Sequence, residues 1–414
     1  MQYGLIGEKL SHSFSKEIHE QLAGYTYELC EIAREDLAAF LQKREFCAIN
    51  VTIPYKKEVI PHLDEVSKIA LELEAVNAIV NKDGKLYGYN TDYIGLRDQI
   101  ERTGYDMNGK KVLILGTGGA SRTAALVARH LGAKEVLLVS REKKVGAISY
   151  DEAYLEHSQC DVIINGTPVG MYPDIYSCPM DLDKFPRVSA VFDAVYNPIR
   201  TNLVLAARNK DILGESGLYM LVSQAVRAIE LFTDTKIDPI KIDEVYTRTH
   251  SSKENIVLIG MPSSGKTTVG AILAQRMNRT LVDIDDEIVS KIGCPIAEFF
   301  KNHTEKDFRL IETEITKEIA KRNGIIISTG GGCVLNKENV NALRLGGRLY
   351  FIDRSLENLI PTDSRPLASK RSDIEALYKT RYSIYKSACD VHINGDLSPN
   401  EEANLIIEEF YIKK

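Results

Sequence analysis

Two glycine-rich turns of different spacing, one in each half of the chain, constrain this sequence more tightly than anything else in it. The first is Gly116-Thr117-Gly118-Gly119-Ala120-Ser121, directly after the apolar run that ends at Leu115. The second is Gly260-Met261-Pro262-Ser263-Ser264-Gly265-Lys266-Thr267, directly after Ile256-Val257-Leu258-Ile259. A buried strand feeding such a turn, with a helix behind it, converges backbone N–H groups on one point, and that point suits a phosphate. Two such turns imply two nucleotides and two sites.

The rest of the pattern is α/β. Apolar, β-branched runs alternate with amphipathic stretches. Strands are expected at 3–6, 27–31, 48–51, 112–115, 136–139, 162–164, 191–193, 256–259, 325–328, 349–352 and 391–393, and helices at 16–23, 122–130, 217–232 and 238–248. The run Asn50–Lys56 reads as a strand passing into a Pro-led helix. A polar stretch, His250–Glu254, reads as the main boundary, with a second near 105–110. At 414 residues there is room for two or three domains.

Composition narrows the function classes. A formal charge of −6 provides no basic field, so nucleic acid is not an expected partner. No apolar run reaches membrane-spanning length, and the first residues lack a basic n-region and long h-region. Seven scattered cysteines with no C-x-x-C pair suggest reduced thiols in a cytoplasmic protein. The expected partners are small molecules; the oligomeric state is not legible.

In the second half the spacing G-x-x-x-x-G-K-T is that of a P-loop. Gly260, Ser263, Ser264, Gly265 and Thr268 belong to the ATP-binding turn, Lys266 reaches the β- and γ-phosphates, and Thr267 offers a hydroxyl to Mg²⁺. Asp283 and Asp285 alternate to one side of a strand end, where one carboxylate could serve Mg²⁺ and the other an acceptor hydroxyl. The lesser alternative is an Asp-rich helix cap. Arg309 could clamp a substrate carboxylate, or simply pair with Glu305 or Glu312. Gly330-Gly331-Gly332 follows a buried run, and Arg365-Pro366-Leu367 and Arg381-Tyr382-Ser383-Ile384-Tyr385 follow later.

This set resembles shikimate kinase over nearly the whole half. The resemblance implies that Asp283 helps Thr267 hold Mg²⁺. It makes Asp285, Arg309, Gly331, Gly332 and Arg381 shikimate contacts and places Arg365 over the reacting phosphates from a lid. The lid, 358–365, is shorter than the family's and lacks the arginine often found upstream of R-P-L.

In the first half the third glycine position of G-x-G-x-x-G is Ser121, so the dinucleotide pattern is imperfect. Past the next strand stands Ser140-Arg141-Glu142-Lys143-Lys144. An NAD site would want an acidic residue at the strand end; Arg141 suits the 2′-phosphate of NADP instead. The hydroxyls of Ser11 and Ser13 could hold a carboxylate or cap a helix. Lys56 and Asp92 could form a proton-transfer pair beside a carbonyl, or be separate solvated charges.

L-S-H-S, N-V-T-I-P-Y-K, A-V-N, G-Y-N-T-D, G-T-G-G-A-S-R, N-G-T-P-V-G-M, Y-N-P-I-x-T and the run Gly217–Ala225 together resemble shikimate dehydrogenase across the half. The resemblance implies that Ser11, Ser13, Thr52, Asn77, Tyr196 and Gln224 contact substrate. Lys56 and Asp92 become the catalytic pair, and Gly116, Gly118, Gly119, Ala120, Ser140 and Arg141 hold NADP(H). The family's N-R-T is here Ser140-Arg141-Glu142, which sets a carboxylate near the 2′-phosphate. The run Lys143–Ser149 is too short for the helix expected there.

The expected architecture is an α/β substrate domain, 1–104, completed by helices near 217–250; a Rossmann NADP-binding domain, 105–216; and a P-loop kinase domain with a parallel sheet, 254–414. The expected function is NADPH-dependent reduction of 3-dehydroshikimate to shikimate, then ATP-dependent phosphorylation of shikimate. The alternative keeps the dehydrogenase and makes the second half an inactive or regulatory nucleotide-binding module. Quinate as a further substrate stays open.

Overall fold

The computed structural model describes residues 1–10, 14–361 and 370–412. The chain divides into two compact units, Met1–Thr249 and His250–Lys414.

The first unit holds two sheets. One contains β1 (Tyr3–Gly7), β2 (Tyr27–Glu31), β3 (Ala48–Val51), β4 (Glu65–Val66), β5 (Ala78–Lys82) and β6 (Lys85–Tyr89), in the order β2-β1-β3-β5-β6-β4. It is mixed: β1 runs parallel to β2 and β3, while β5 is antiparallel to β3 and β6. Period-two alternation sends Ile6, Ile49, Ile79 and Leu86 to one core with Leu37 and Leu41. Leu5, Ala48, Ala78 and Val80 go to the other face, against Ala228 and Phe232 of the late helix Leu218–Thr233.

The second sheet is all parallel: β7 (Lys111–Leu115), β8 (Glu135–Ser140), β9 (Ala147–Ser149), β10 (Val162–Asn165), β11 (Ala190–Asp193) and β12 (Leu213–Glu215), in the order β12-β11-β10-β7-β8-β9. Helices cover both faces. Val112, Ile114, Val162 and Ile164 pack with Ala124 and Val127 on one side, and Leu113, Leu115 and Ile163 pack with Leu203 and Ala207 on the other. Two buried faces explain why these strands read as unbroken apolar runs. The strand order reverses between β7 and β10, and the turns after these two strands bound the crevice where such sheets take dinucleotides.

The second unit contains β13 (Asn255–Ile259), β14 (Leu281–Asp283), β15 (Ile326–Ser328), β16 (Gly347–Asp353) and β17 (Val391–Asn394), all parallel, in the order β14-β15-β13-β16-β17. Ile256, Leu258, Ile326, Tyr350 and Ile352 share a core with Val269, Leu273, Ile406 and Phe410.

Three local expectations need correction. Residues 53–59 form successive turns rather than a Pro-led helix. Tyr55 is fully buried and its hydroxyl donates to the Ile32 carbonyl at 2.5 Å, which draws the chain inward. The polar stretch 250–253 is helical, the end of the helix Pro239–Lys253. Asp285 is not on a strand: β14 stops at Asp283, and Asp285 is in the helix Ile284–Ile292. The run Lys143–Ser149, too short for a helix, indeed holds none: residues 147–149 form β9 beside β8, and the helix comes after, at Tyr150–Glu156, opened by a Ser149–Glu152 capping box.

Candidate functional site

In the first unit Thr52, Lys56, Asn77, Asp92, Gly119, Ala120, Tyr196 and Gln224 all line one cleft of about 320 Å³. The Lys56 ammonium donates to the Asp92 carboxylate at 2.6 Å, both side chains largely sheltered at 28% and 20% exposure. Asp92 opens the helix Asp92–Arg102, which fixes its carboxylate at the mouth of the cleft. The neighbouring wall is a buried amide network. Asn77 Nδ2 donates to Thr91 Oγ1 at 3.1 Å, and the Thr91 N–H returns to Asn77 Oδ1 at 2.7 Å. Thr91 Oγ1 also donates to Gln224 Oε1 at 3.3 Å, tying the late helix to this wall. Sequence reasoning missed Asn50, which lines the cleft, accepts from the Tyr27 hydroxyl at 2.7 Å and donates to the Asn77 carbonyl at 3.1 Å. A buried Asn midway along a strand was its only signal. Ser11 and Ser13 lie outside the described residues.

A second cavity of about 230 Å³ adjoins the glycine turn, lined by Gly116, Thr117, Gly118, Ser140, Arg141, Glu142, Lys144, Tyr150, Gly166 and Thr167 among others. Gly116 has φ +97°, and a Cβ there would stand 2.8 Å from Thr167 Cγ2. Ser121 takes the third-glycine position because Gly166 faces it. Its buried hydroxyl donates to the Leu115 and Gly166 carbonyls at 3.1 and 3.3 Å, and a Cβ on Gly166 would meet that hydroxyl at 2.5 Å. Lys144 donates to Thr117 Oγ1 at 3.2 Å and so stands at the turn itself. Two cations, Arg141 and Lys144, therefore outnumber the one carboxylate of Glu142 along this wall.

Behind the turn is a buried carboxyl. Asp193 accepts from Asn165 Nδ2 (2.9 Å), the Val195 N–H (2.9 Å) and Thr201 Oγ1 (2.7 Å). Burial pushes its pKa up to about 7 against these three donors. Asn165 in turn holds Thr167 by accepting its N–H and hydroxyl at 3.0 and 2.7 Å.

In the second unit Lys266, Thr267, Asp283, Asp285, Arg309, Gly331, Gly332 and Arg381 line a cavity of about 440 Å³. The loop reaches its shape through left-handed residues, Ser263 at φ +65° and Gly265 at φ +93°. Lys266 is buried, and its ammonium donates to the Gly260 and Met261 carbonyls at 3.0 and 2.9 Å. Thr267 Oγ1 donates to Asp283 Oδ2 at 2.8 Å, while Asp283 Oδ1 accepts the Asp285 N–H at 3.0 Å. The cap reading of Asp283 and the cavity reading thus hold together. A hydroxyl and a carboxylate side by side are hard oxygen donors of the kind Mg²⁺ takes.

Arg309 makes both of the carboxylate pairs open to it. Its guanidinium bonds Glu312 and Glu305 at 2.9 Å each and still faces the cavity. Glu312 is almost fully buried, and burial raises its pKa while Arg309 opposes the rise. The Arg309 guanidinium lies against Gly332, so a Cβ there would displace it from its present position. Arg381 Nη1 donates to the Gly331 carbonyl at 3.0 Å, and the Tyr385 hydroxyl donates to the same oxygen. Gly260, Ser263, Ser264, Gly265 and Thr268 form the loop and the first helical turn behind it. Arg365 lies outside the described residues.

The first unit is thus a two-sheet dinucleotide-binding protein with a Lys–Asp pair in its cleft, and the second is a P-loop protein. Residues 5–79 match the model of the shikimate dehydrogenase substrate binding domain, and residues 262–411 match that of shikimate kinase. The NADP(+) shikimate dehydrogenase of Clostridium perfringens (strain SM101) is 36% identical over 262 residues, covering 59% of this chain and 96% of its own. That of Halothermothrix orenii is 39% identical, covering 56% and 91%. The crystal structure of a chorismate mutase/shikimate 5-dehydrogenase fusion protein from Clostridium acetobutylicum superposes with TM-score 0.57 at 36% identity, over 60% of this chain and 96% of that one. Shikimate 5-dehydrogenase from Thermus thermophilus, in complex with NADP(H) and shikimate, gives 0.54 at 28% identity, over 60% and 99%. The chain belongs to the shikimate dehydrogenase family and carries a shikimate kinase domain behind that unit.

Proposed function

We propose that the protein catalyses two consecutive steps, reduction of 3-dehydroshikimate by NADPH in the first unit and phosphorylation of shikimate by ATP in the second. In this reading residues 1–104 and the helices of 217–250 bind substrate, 105–216 bind NADP(H), and 254–414 form the kinase. The observation that carries it is the pairing of Lys56 with Asp92 at 2.6 Å in a cleft shared with Thr52, Asn77, Tyr196 and Gln224. The match of the second unit to shikimate kinase then supplies a consumer for the product.

NADPH, when bound, supplies the hydride. Lys56 delivers a proton to the carbonyl oxygen as negative charge develops there, and Asp92 keeps the ammonium aimed. Asn77 and Gln224 orient substrate hydroxyls from the amide wall, with Ser11 and Ser13 completing the carboxylate contact. Arg141 and Lys144 receive the 2′-phosphate. In the kinase, Mg²⁺ when bound offsets phosphate charge, and Thr267 and Asp283 are the residues that would hold it. Asp285 orients the 3-hydroxyl, Arg309 and Arg381 hold the shikimate carboxylate, and Lys266 and Arg365 stabilise charge on the transferred group.

The test is one assay with 3-dehydroshikimate, NADPH, ATP and Mg²⁺, following NADPH loss and shikimate 3-phosphate together. Both are expected, with phosphate transfer requiring ATP and reduction not. Shikimate accumulating unphosphorylated would sink the kinase half.

A further inference from the structure

Arg354 is the residue directly after β16, the strand that pairs with the P-loop strand β13. Ligands of parallel α/β sheets gather at this carboxyl edge. The guanidinium lies beside Gly265, the residue before Lys266: a Cβ on Gly265 would stand 3.7 Å from Arg354 Nη1. Among the described residues Arg354 makes no ion pair, and its buried Nε has no hydrogen-bond partner. A guanidinium carries five donors, and leaving a buried one unpaired is costly.

Two acids act on it without an ion-pair contact: Asp396, whose carboxyl pKa is held below its ordinary value by hydrogen bonds and in part by Arg354, and Glu402. Asp396 Oδ1 is taken up by the Ser355 N–H and hydroxyl, each at 3.0 Å, and by Asn358 Nδ2 at 2.8 Å. Glu402 is buried at 1% exposure, with Oε2 unbonded. Burial pushes its carboxyl up to about 7 even though Arg354 opposes this, so near neutral pH it is only partly charged. The arrangement is a cation held beside a phosphate-binding loop with no acid in ion-pair contact among the described residues.

We propose that Arg354 is a second cation for the phosphate chain of the nucleotide bound by the loop Gly260–Thr267, acting across Gly265. The proposal rests on the nucleotide-binding part of the kinase reading. A planar guanidinium suits two phosphate oxygens at once, which an ammonium does not.

The experiment is calorimetric binding of MgADP to the full chain, which needs no phosphoryl transfer, with NADPH-dependent reduction as a check that the protein is folded. Arg354→Gln is expected to weaken MgADP binding about tenfold, and Arg354→Lys by less, with reduction unchanged. MgADP binding within twofold of wild type in Arg354→Gln overturns the proposal. So does recovery of binding in Arg354→Gln/Glu402→Gln, because Arg354 would then serve only to neutralise Glu402. Absence of MgADP binding by the wild type also overturns it. If the wild type binds MgADP but does not phosphorylate shikimate, and Arg354→Gln still loses affinity, the kinase reading fails and the role of Arg354 stands.

Discussion

Lys56 and Asp92 come together at 2.6 Å from a turn and a helix start that are 36 residues apart in the chain. Among the described residues neither has another ion-pair partner, so each is positioned by the other. Replacing Lys56 by Ala is expected to lower kcat for reduction by about 10²- to 10⁴-fold, the usual worth of a positioned proton donor. Asp92→Asn should act in the same direction. Phosphorylation of added shikimate should be unaffected by either change, while Lys266→Ala should do the reverse. A spectrophotometric assay of both steps on each variant decides this; loss of both activities in a folded variant would refute two independent sites.

Cofactor choice should follow the basic wall at 141–144. Arg141→Ala is expected to raise KM for NADPH about tenfold and leave KM for NADH nearly unchanged. The lower end of the range for a charged hydrogen bond, about 1.5 kcal/mol, applies because Arg141 is exposed. Lys144→Ala should give a smaller loss. Raising the salt concentration should narrow the difference between NADPH and NADH. Equal losses for both cofactors would argue that Arg141 shapes the pocket rather than reading the phosphate.

Removal of divalent metal separates the units cleanly. With excess EDTA, transfer from ATP should stop, because Thr267 and Asp283 then have no cation to present to the phosphates. Reduction should proceed at its full rate. Inhibition of reduction by EDTA would mean that a metal also serves the first cleft.

Acid should destabilise the first unit through His19. This ring is buried, stacked on Tyr27 at 4.1 Å, and its Nε2 has no hydrogen-bond partner. Burial lowers its pKa from 6.5 to about 3. The unfolded chain therefore takes up a proton that the folded chain refuses, and stability is lost as pH falls from 6.5 toward 3, by up to about 1.4 kcal/mol per pH unit. Asp193 has the opposite sign: its pKa is raised from 3.8 to about 7, so its contribution is lost as pH rises through that interval. The two oppose each other between roughly pH 4 and 6.5. His19→Gln should remove one side of this balance, and denaturant melts of both proteins at pH 4.5 and 7.5 would show it. Identical pH slopes would mean that His19 protonates without cost.

Much of this was legible in the sequence for a physical reason. Strands buried on both faces carry continuous apolar runs, and phosphate loops need glycine where the backbone turns left, as at Gly116 and Gly265. What escaped depends on contacts that no local pattern carries. The Asp283–Asp285 alternation suggested a strand, but Asp283 accepts the Asp285 N–H and starts a helix. Pro54 suggested a helix start, but Tyr55 is pulled into the core by the Ile32 carbonyl. Arg354 left no trace beyond one more basic residue after a strand, because its meaning comes from Gly265, far away in the chain.

The helix Leu218–Thr233 covers one face of the first sheet, yet the whole parallel sheet from β7 to β12 intervenes between them in the chain. On the ribosome, roughly 140 residues follow β6 before that cover is complete, which at 5–20 residues per second is roughly 7–30 s. Through that interval Leu5, Ala48, Ala78 and Val80 lack their lid of Ala228 and Phe232. A polypeptide stopped near residue 104 is left permanently in that state, with a bare apolar sheet face that invites aggregation, so the substrate-binding half is not a free-standing part.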